Sequence, residues 1–320
     1  MSNQIQQQRS PARRLGAWLL GLPPAYAALA LLMLAAAWMR PQLLSPMLLV
    51  LMLRQAAPLG LAVIGQSLVM RGLSLDLSFG GVVVGVSYIL TSGALQWDAP
   101  ALLAASLLFG LAVGAINGFC IVKLRASSVI VTLGMTMIIT GVVVALSQLR
   151  APGDAPELLR EIGLKRIGGL PLPVWVWLAL LLPMALFMRL SVFGRWVDAW
   201  GASPWAALLS GIPAGAIMFA SHLASSLFAV VSGWMLLAFV GAGSFNLGQD
   251  LALNALAAAV LGGVNFGNGR GGLLGPAVAA FMLTFLFNFL TSLGVNESAR
   301  LMLQGVLIAL AAVAYSARHK

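Results

Sequence analysis

The chain has 320 residues, 61% of them hydrophobic and only 8% charged, with a mean hydropathy of +0.99. A soluble domain carries roughly 25% charged residues, so this chain cannot cover a water-facing surface and reads as a polytopic membrane protein. The net charge of +10 does not point to nucleic acid, because the basic residues stand at helix ends and in short loops, where they fix orientation in a membrane. With only 8 Asp and Glu, the acidic groups of an aqueous enzyme are scarce. The one cysteine, Cys120, lies in an apolar run, forms no internal disulfide and reads as a small packing residue. No metal and no cofactor is expected.

In chain order, Arg9, Arg13 and Arg14 precede an apolar run that reaches Met39. This run is longer than a signal-peptide core and is split by Pro23 and Pro24, so it is expected to stay attached. Residues 15–22 read as an interfacial stretch, and 23–39 as the first crossing, started by the proline pair. Crossings then follow near 56–70, 80–95, 100–121, 128–148, 173–189, 212–240, 250–263, 273–293 and 300–316. Those at 56–70, 80–95 and 250–263 fall short of the roughly 20 residues of a full span. Residues 46–58, which contain Arg54 and end at Pro58, are placed at the outer interface, with Arg54 reaching the headgroups.

The expected fold is therefore all-α: a polytopic transmembrane helical bundle of about ten helices, some short or broken, with an internal repeat as a candidate feature. The expected division is a cytoplasmic tail and interfacial stretch over 1–22, a transmembrane domain over 23–316 and a cytoplasmic tail over 317–320. With both termini inside, the inner loops hold most of the 18 basic residues, while the outer loop 149–172 adds Asp154, Glu157 and Glu161. That charge bias satisfies the positive-inside rule.

Two glycine-rich turns echo each other: "LVMRGLSLDLSFGG" at 68–81 and "AVLGGVNFGNGRGG" at 259–272. The second carries Gly267, Gly269 and Gly272 at the spacing of a dinucleotide fingerprint. That fingerprint needs a strand before it, a helix after it and an acid about 20 residues on. The turn lies between membrane helices instead, and no glycine-lysine-Ser/Thr triplet occurs anywhere, so nucleotide binding is excluded.

Four segments carry a resemblance. "GQSLVMRGLSLDLSFGG" resembles the Gly-Gly-Ile-Asp-Leu-Ser-Val-Gly motif of ribose-type ABC transporter permeases. "INGFCIVKLRASSVIVTLGM", "FGRWVDAWGASPWAALLSGI" and "LNALAAAVLGGVNFGNGRGGLLGPAVAA" are similar to three further motifs of that family, in the family's order, over roughly 43–316. Leu73 and Ser74 replace the family's glycine pair, Phe79 its usual valine, and Asn268 a common glycine. The resemblance implies a non-catalytic permease subunit of a binding-protein-dependent importer in a bacterial inner membrane. Its partners are then a cytoplasmic ATP-binding subunit, a periplasmic solute-binding protein and a second permease subunit, identical or paralogous. The solute is a sugar or similar small polar molecule.

The candidate site residues fall into three groups. Asp76, an acid in an apolar run, either lines a polar path or braces a turn by accepting backbone N–H groups, with Ser78 joining either arrangement. Thr284, Asn288 and Ser292 share one helical face and offer hydrogen bonds to a solute or to a neighbouring helix; Gln66 and Asn117 are candidates of the same kind. His222, among Ser221, Ser225 and Ser226, reads as interhelical bonding, and Gly110, Gly114 and Gly118 as a double GxxxG contact whose partner is open. The second group is the loop 189–211, which reads as a short amphipathic interfacial helix. The resemblance makes it the ATPase-coupling loop, with Arg195, Asp198, Gly201, Ala206, Ala207, Ser210 and Gly211 as its residues. Structural turns are assigned to Gly72, Gly80, Gly262, Gly263, Gly269, Arg270 and Gly271. The alternatives are an ion-coupled secondary transporter, which needs titratable midplane groups that are scarce here, and a polytopic membrane enzyme, which needs clustered charges at one face.

Overall fold

The computed structural model describes residues 23–148, 150, 152–264, 269, 271–299, 301–303, 305 and 306. Their helices are α1 (Pro24–Met39), α2 (Pro46–Arg71), α3 (Phe79–Thr91), α4 (Ala99–Val122), α5 (Ser128–Ser147), α6 (Glu157–Leu164), α7 (Leu172–Leu190), α8 (Val192–Ala202), α9 (Pro204–Leu209), α10 (Ala214–Val240), α11 (Leu251–Leu261) and α12 (Leu274–Ser292). Among the described residues the one sheet is a two-stranded hairpin, β1 (Arg166–Ile167) and β2 (Leu170–Pro171), just before α7. Helices α2, α4, α5, α7, α10 and α12 are long and apolar enough to cross a membrane, and α1, α3 and α11 are shorter apolar helices. The chain is a multi-pass, all-α membrane protein. Most of the tenth expected crossing, 300–316, lies outside the described residues.

Proline starts several of these helices. It stands in the first turn of α1, α2, α4, α7 and α9, where its missing N–H leaves no helical hydrogen bond unmade. Pro58 does not act as a stop. Residues 46–71 form one helix of 26 residues, so the expected division into an interfacial segment and a short crossing is wrong. A proline inside a helix removes one backbone bond and favours a kink. Here Pro58 is buried, and Ser232 Oγ on α10 donates to its carbonyl at 2.7 Å, which ties this part of α2 to a neighbour. Arg54 is accordingly held by protein. Its guanidinium donates to the Ala238 carbonyl at 3.4 Å and stacks 5.1 Å from the Phe239 ring centroid, at the C-terminal end of α10, where the helix dipole favours a cation.

Helices α2, α10 and α12 are the most buried of the long spans, and α5 is the most peripheral. The double GxxxG on α4 finds its partner within the chain. A Cβ at Gly110 would collide with Val230, one at Gly114 with the backbone of Leu223 and His222, and one at Gly118 with Phe219. All are α10 residues, so glycine brings α4 directly onto the α10 backbone. The loop 149–172 is more than a solvated connection: α6 buries Leu159, Gly163 meets the Ala238 carbonyl, and Gly153 N donates to Thr91 O at 2.9 Å.

Candidate functional site

The segment between α2 and α3 alternates leucine with polar residues from Leu73 to Ser78. A two-residue period cannot form one face of a helix, and Ser and Asp compete with helical bonding through their own side chains. The chain unwinds there. Gly72 N bonds to Leu68 O, Leu73 N to Met70 O and Ser74 N to Val69 O, a Schellman turn with Leu73 left-handed at φ 60°. Helix α11 ends in the same pattern: Gly262 N to Ala258 O, Gly263 N to Val260 O and Val264 N to Ala259 O, with Gly263 at φ 89°. The echo between the two quoted stretches is thus one turn made twice, with glycine in the left-handed position of one and leucine in the other.

A leucine in that conformation costs about 1–2 kcal/mol, and a β-branched residue is more strained still. Leu73→Val is therefore expected to unfold at a lower temperature than Leu73→Gly. Thermal unfolding of the two purified variants in detergent checks the order.

Beyond the turn the side chains sort by parity: Ser74, Asp76 and Ser78 are buried, whereas Leu73, Leu75 and Leu77 are half-buried. The inward row meets α10 and α4. Asp76 is fully buried. Its Oδ1 accepts from Ser78 N at 2.9 Å and Ser78 Oγ at 2.5 Å, and its Oδ2 from Ser225 Oγ at 2.7 Å. Asn117 Nδ2 on α4 donates to Ser78 Oγ at 3.0 Å. His222 Nε2 and Ser74 Oγ are hydrogen-bonded at 2.8 Å, and His222 Nδ1 stands 4.0 Å from Asp76 Oδ2. A buried carboxylate needs such donors, and the short i to i+2 bond to Ser78 also fixes the entry to α3.

The backbone of the segment is satisfied from another side. Leu75 N donates to Ser128 Oγ at 3.2 Å, Leu77 N to Thr132 Oγ1 at 2.9 Å, and Thr136 Oγ1 to Leu77 O at 2.8 Å. Non-helical backbone at membrane depth is tolerated only where protein or a polar cavity supplies partners, and the α5 hydroxyls do so. Sequence reasoning missed Ser128, Thr132 and Thr136. Their signal was the i, i+4, i+8 spacing that singled out the stripe on α12. Thr136 also lines an open groove of about 560 Å³ with Gly80, Met137, Thr140, Gly141, Val144 and Gln249.

The expected pathway residues do not all meet. Asp76, Ser78 and Asn117 share the cluster just described. Thr284, Asn288 and Ser292 bond to their own helix at Ala280 O, Thr284 O and Phe289 O, and Asn288 Nδ2 also donates to Gln55 Oε1 on α2 at 2.9 Å. Gln66 is fully buried on α2, with neither amide atom hydrogen-bonded among the described residues.

The loop 189–211 folds as α8 and α9, each started by a serine cap: Gly194 N donates to Ser191 Oγ and Ala206 N to Ser203 Oγ. Asp198 pairs with Arg71 at 2.5 Å, and Trp200 Nε1 donates to Gly72 O at 3.1 Å. A Cβ on Gly269 would collide with both Gly201 and the Arg71 carbonyl, so the second glycine turn lies against α8 and the end of α2. Gly201 and Ala207 are buried; Arg195, Ala206, Ser210 and Gly211 are exposed. Arg195 donates to Leu190 O and Ser210 Oγ to Ala206 O, while Gly211 turns at φ 75°. Trp205, Leu208 and Leu209 stand out at 73%, 52% and 74% exposure.

Of the expected turn glycines, Gly72 caps α2, Gly80 stands instead inside α3 against the backbone of Gly248 and Gln249, Gly262 abuts Pro276, and Gly271 at φ 131° abuts the Gly263 carbonyl. Arg270 lies outside the described residues.

This arrangement of a broken crossing, a buried polar cluster and a helix pair outside the spans is accompanied by a family match. Residues 48–312 match the model described as "Branched-chain amino acid transport system / permease component". The chain belongs to this permease family. The permease is 28% identical over 264 residues to "Ribose import permease protein RbsC" of Escherichia coli strain K12, covering 81% of this chain and 82% of that protein. It is 32% identical over 275 residues to "Probable ABC transporter permease protein y4mJ" of Sinorhizobium fredii, covering 84% and 81%. It is 28% identical over 266 residues to "Autoinducer 2 import system permease protein LsrD" of Escherichia coli strain K12, covering 81% and 80%. No solved structure gives a significant match.

Proposed function

We propose that the permease is the membrane-spanning subunit of an ATP-driven, binding-protein-dependent importer for a sugar or similar small polar solute. The observation that carries this reading is the family match over residues 48–312. Ribose and autoinducer 2, named for two of the relatives, supply the solute class. ATP hydrolysis belongs to a separate cytoplasmic subunit docked on α8–α9, where Trp205, Leu208 and Leu209 offer apolar contacts. A second permease subunit completes the conduit, and a periplasmic binding protein delivers the solute. Both termini and α8–α9 then face the cytoplasm of a bacterial inner membrane.

Within this reading Asp76 braces the unwound segment, and the 560 Å³ groove between α3 and α5 is this chain's share of the solute path. Thr136 and Thr140 offer the path neutral hydrogen-bonding groups, which suit an uncharged solute. The family description names branched-chain amino acids instead, and one measurement separates the two classes. Thermal unfolding of the binding protein encoded beside the permease is followed with pentoses, hexoses and branched-chain amino acids in turn. Stabilisation by a sugar is expected; stabilisation by amino acids alone would overturn the solute assignment.

A further inference from the structure

Helix α8 has three physical connections to the rest of the permease. It follows α7 directly through Ser191, with Gly194 against the Met188 carbonyl and Phe193 stacked on Phe187, but no α7 residue lines the groove between α3 and α5. The other two differ in quality. Along the chain it continues through α9, whose one buried residue is Ala207, into the exposed turn at Gly211. A Cβ at Gly211 would meet nothing within 4 Å. Sideways, α8 is fastened to the end of α2 by the Arg71–Asp198 ion pair and by the bond from Trp200 to the Gly72 carbonyl, with Gly201 packed against Gly269. The Arg71 side chain is only 6% exposed, so its end of the pair is set in protein.

From Gly72 a non-helical stretch of chain, 72–78, leads to α3. Its inward side chains hold α10 and α4 through Ser74–His222, Asp76–Ser225 and Ser78–Asn117. Its backbone holds α5 through Ser128, Thr132 and Thr136. It ends at Ser78, and Gly80 in the first turn of α3 lines the groove between α3 and α5 with Thr136. A segment hydrogen-bonded on both sides moves together with its partners, whereas an exposed glycine turn absorbs displacement.

We propose that motion of α8 reaches the groove through residues 71–80, and that Arg71, Asp198 and Trp200 are the positioning residues of this relay. The proposal rests on the importer reading and deepens it: the ATPase moves α8, and the unwound segment, rather than the chain through α9, carries that motion to the solute path.

The test uses the assembled complex of permease, ATPase and binding protein in sealed vesicles, measuring solute taken up per ATP hydrolysed. The solute is the one that stabilises the binding protein. Trp200→Phe keeps an aromatic ring but removes the donor to Gly72; Arg71→Gln, on α2 and outside the coupling loop, removes the charge that Asp198 pairs with. Each is expected to co-purify with the ATPase and to hydrolyse ATP like wild type, while uptake per ATP falls roughly fivefold to tenfold, the size of one net hydrogen bond. Arg71→Gln with Asp198→Asn is expected to be no worse than either alone, because both break the same pair. Variants that assemble and keep the wild-type ratio overturn the relay and leave the importer reading standing. Loss of assembly in both conservative variants assigns these residues to folding or docking and also overturns it. A wild-type complex that does not couple ATP to uptake removes the importer reading and the relay together.

Discussion

Asp76→Ala is expected to lower the unfolding temperature and to abolish uptake. The alanine leaves Ser78 N–H, Ser78 Oγ and Ser225 Oγ without their acceptor in a fully buried place. Each orphaned donor costs about 1–3 kcal/mol, and the loss falls on the turn that starts α3. Asp76→Asn keeps one acceptor oxygen, so an intermediate unfolding temperature and partial uptake are expected. The order of aspartate, asparagine and alanine in both measurements marks a brace. An asparagine variant that unfolds like wild type yet moves no solute would put the charge itself in the path.

Trp205→Ser and Leu209→Ser are expected to behave in the opposite way. Both side chains are mostly exposed on α9, so the bundle should insert and unfold as before. An ATPase that docks on α9, as proposed, loses apolar anchors. Truncating a central aromatic at a protein interface costs about 2 kcal/mol or more, which is roughly 30-fold in affinity. Titrating purified ATPase onto each variant in lipid discs reads that change directly. Unchanged affinity in both variants would mean that these side chains rest on the membrane surface, as interfacial aromatics do.

The bundle was largely legible in the sequence because lipid forces long apolar runs, and prolines, glycines and charges mark their ends. The clearest misreading, at Pro58, has a local cause. A proline with glycine and polar neighbours reads as a helix stop, whereas the burial around Pro58 and the hydroxyl of Ser232 that keep α2 continuous come from 174 residues away. Arg54 followed from the same error, since a residue assigned to the interface was given to headgroups instead of to the end of α10.

At the site, the sequence exposed Asp76 as an anomaly with Ser78 beside it, but not the partner it finds on another helix. The hydroxyl of Ser225 that completes the carboxylate's shell lies 149 residues on, and nothing in a local pattern links the two. The parity of residues 73–78 was readable, since a two-residue period between helices argues against one continuous helix. What it could not give was the side that each row faces. The hydroxyls of α5 escaped notice because Ser and Thr in apolar helices commonly bond back to their own carbonyls. Thr132 does so at Ser128 O while also accepting from Leu77 N. The GxxxG spacing on α4 announced a close contact, and the structure supplied α10 as the partner.

The most direct test of a conduit powered by another subunit is uptake into sealed vesicles that contain the permease, its ATPase and the binding protein. Accumulation that requires ATP and survives collapse of the proton gradient is the expected result. Accumulation by this chain alone, driven by an ion gradient and indifferent to ATP, would contradict it.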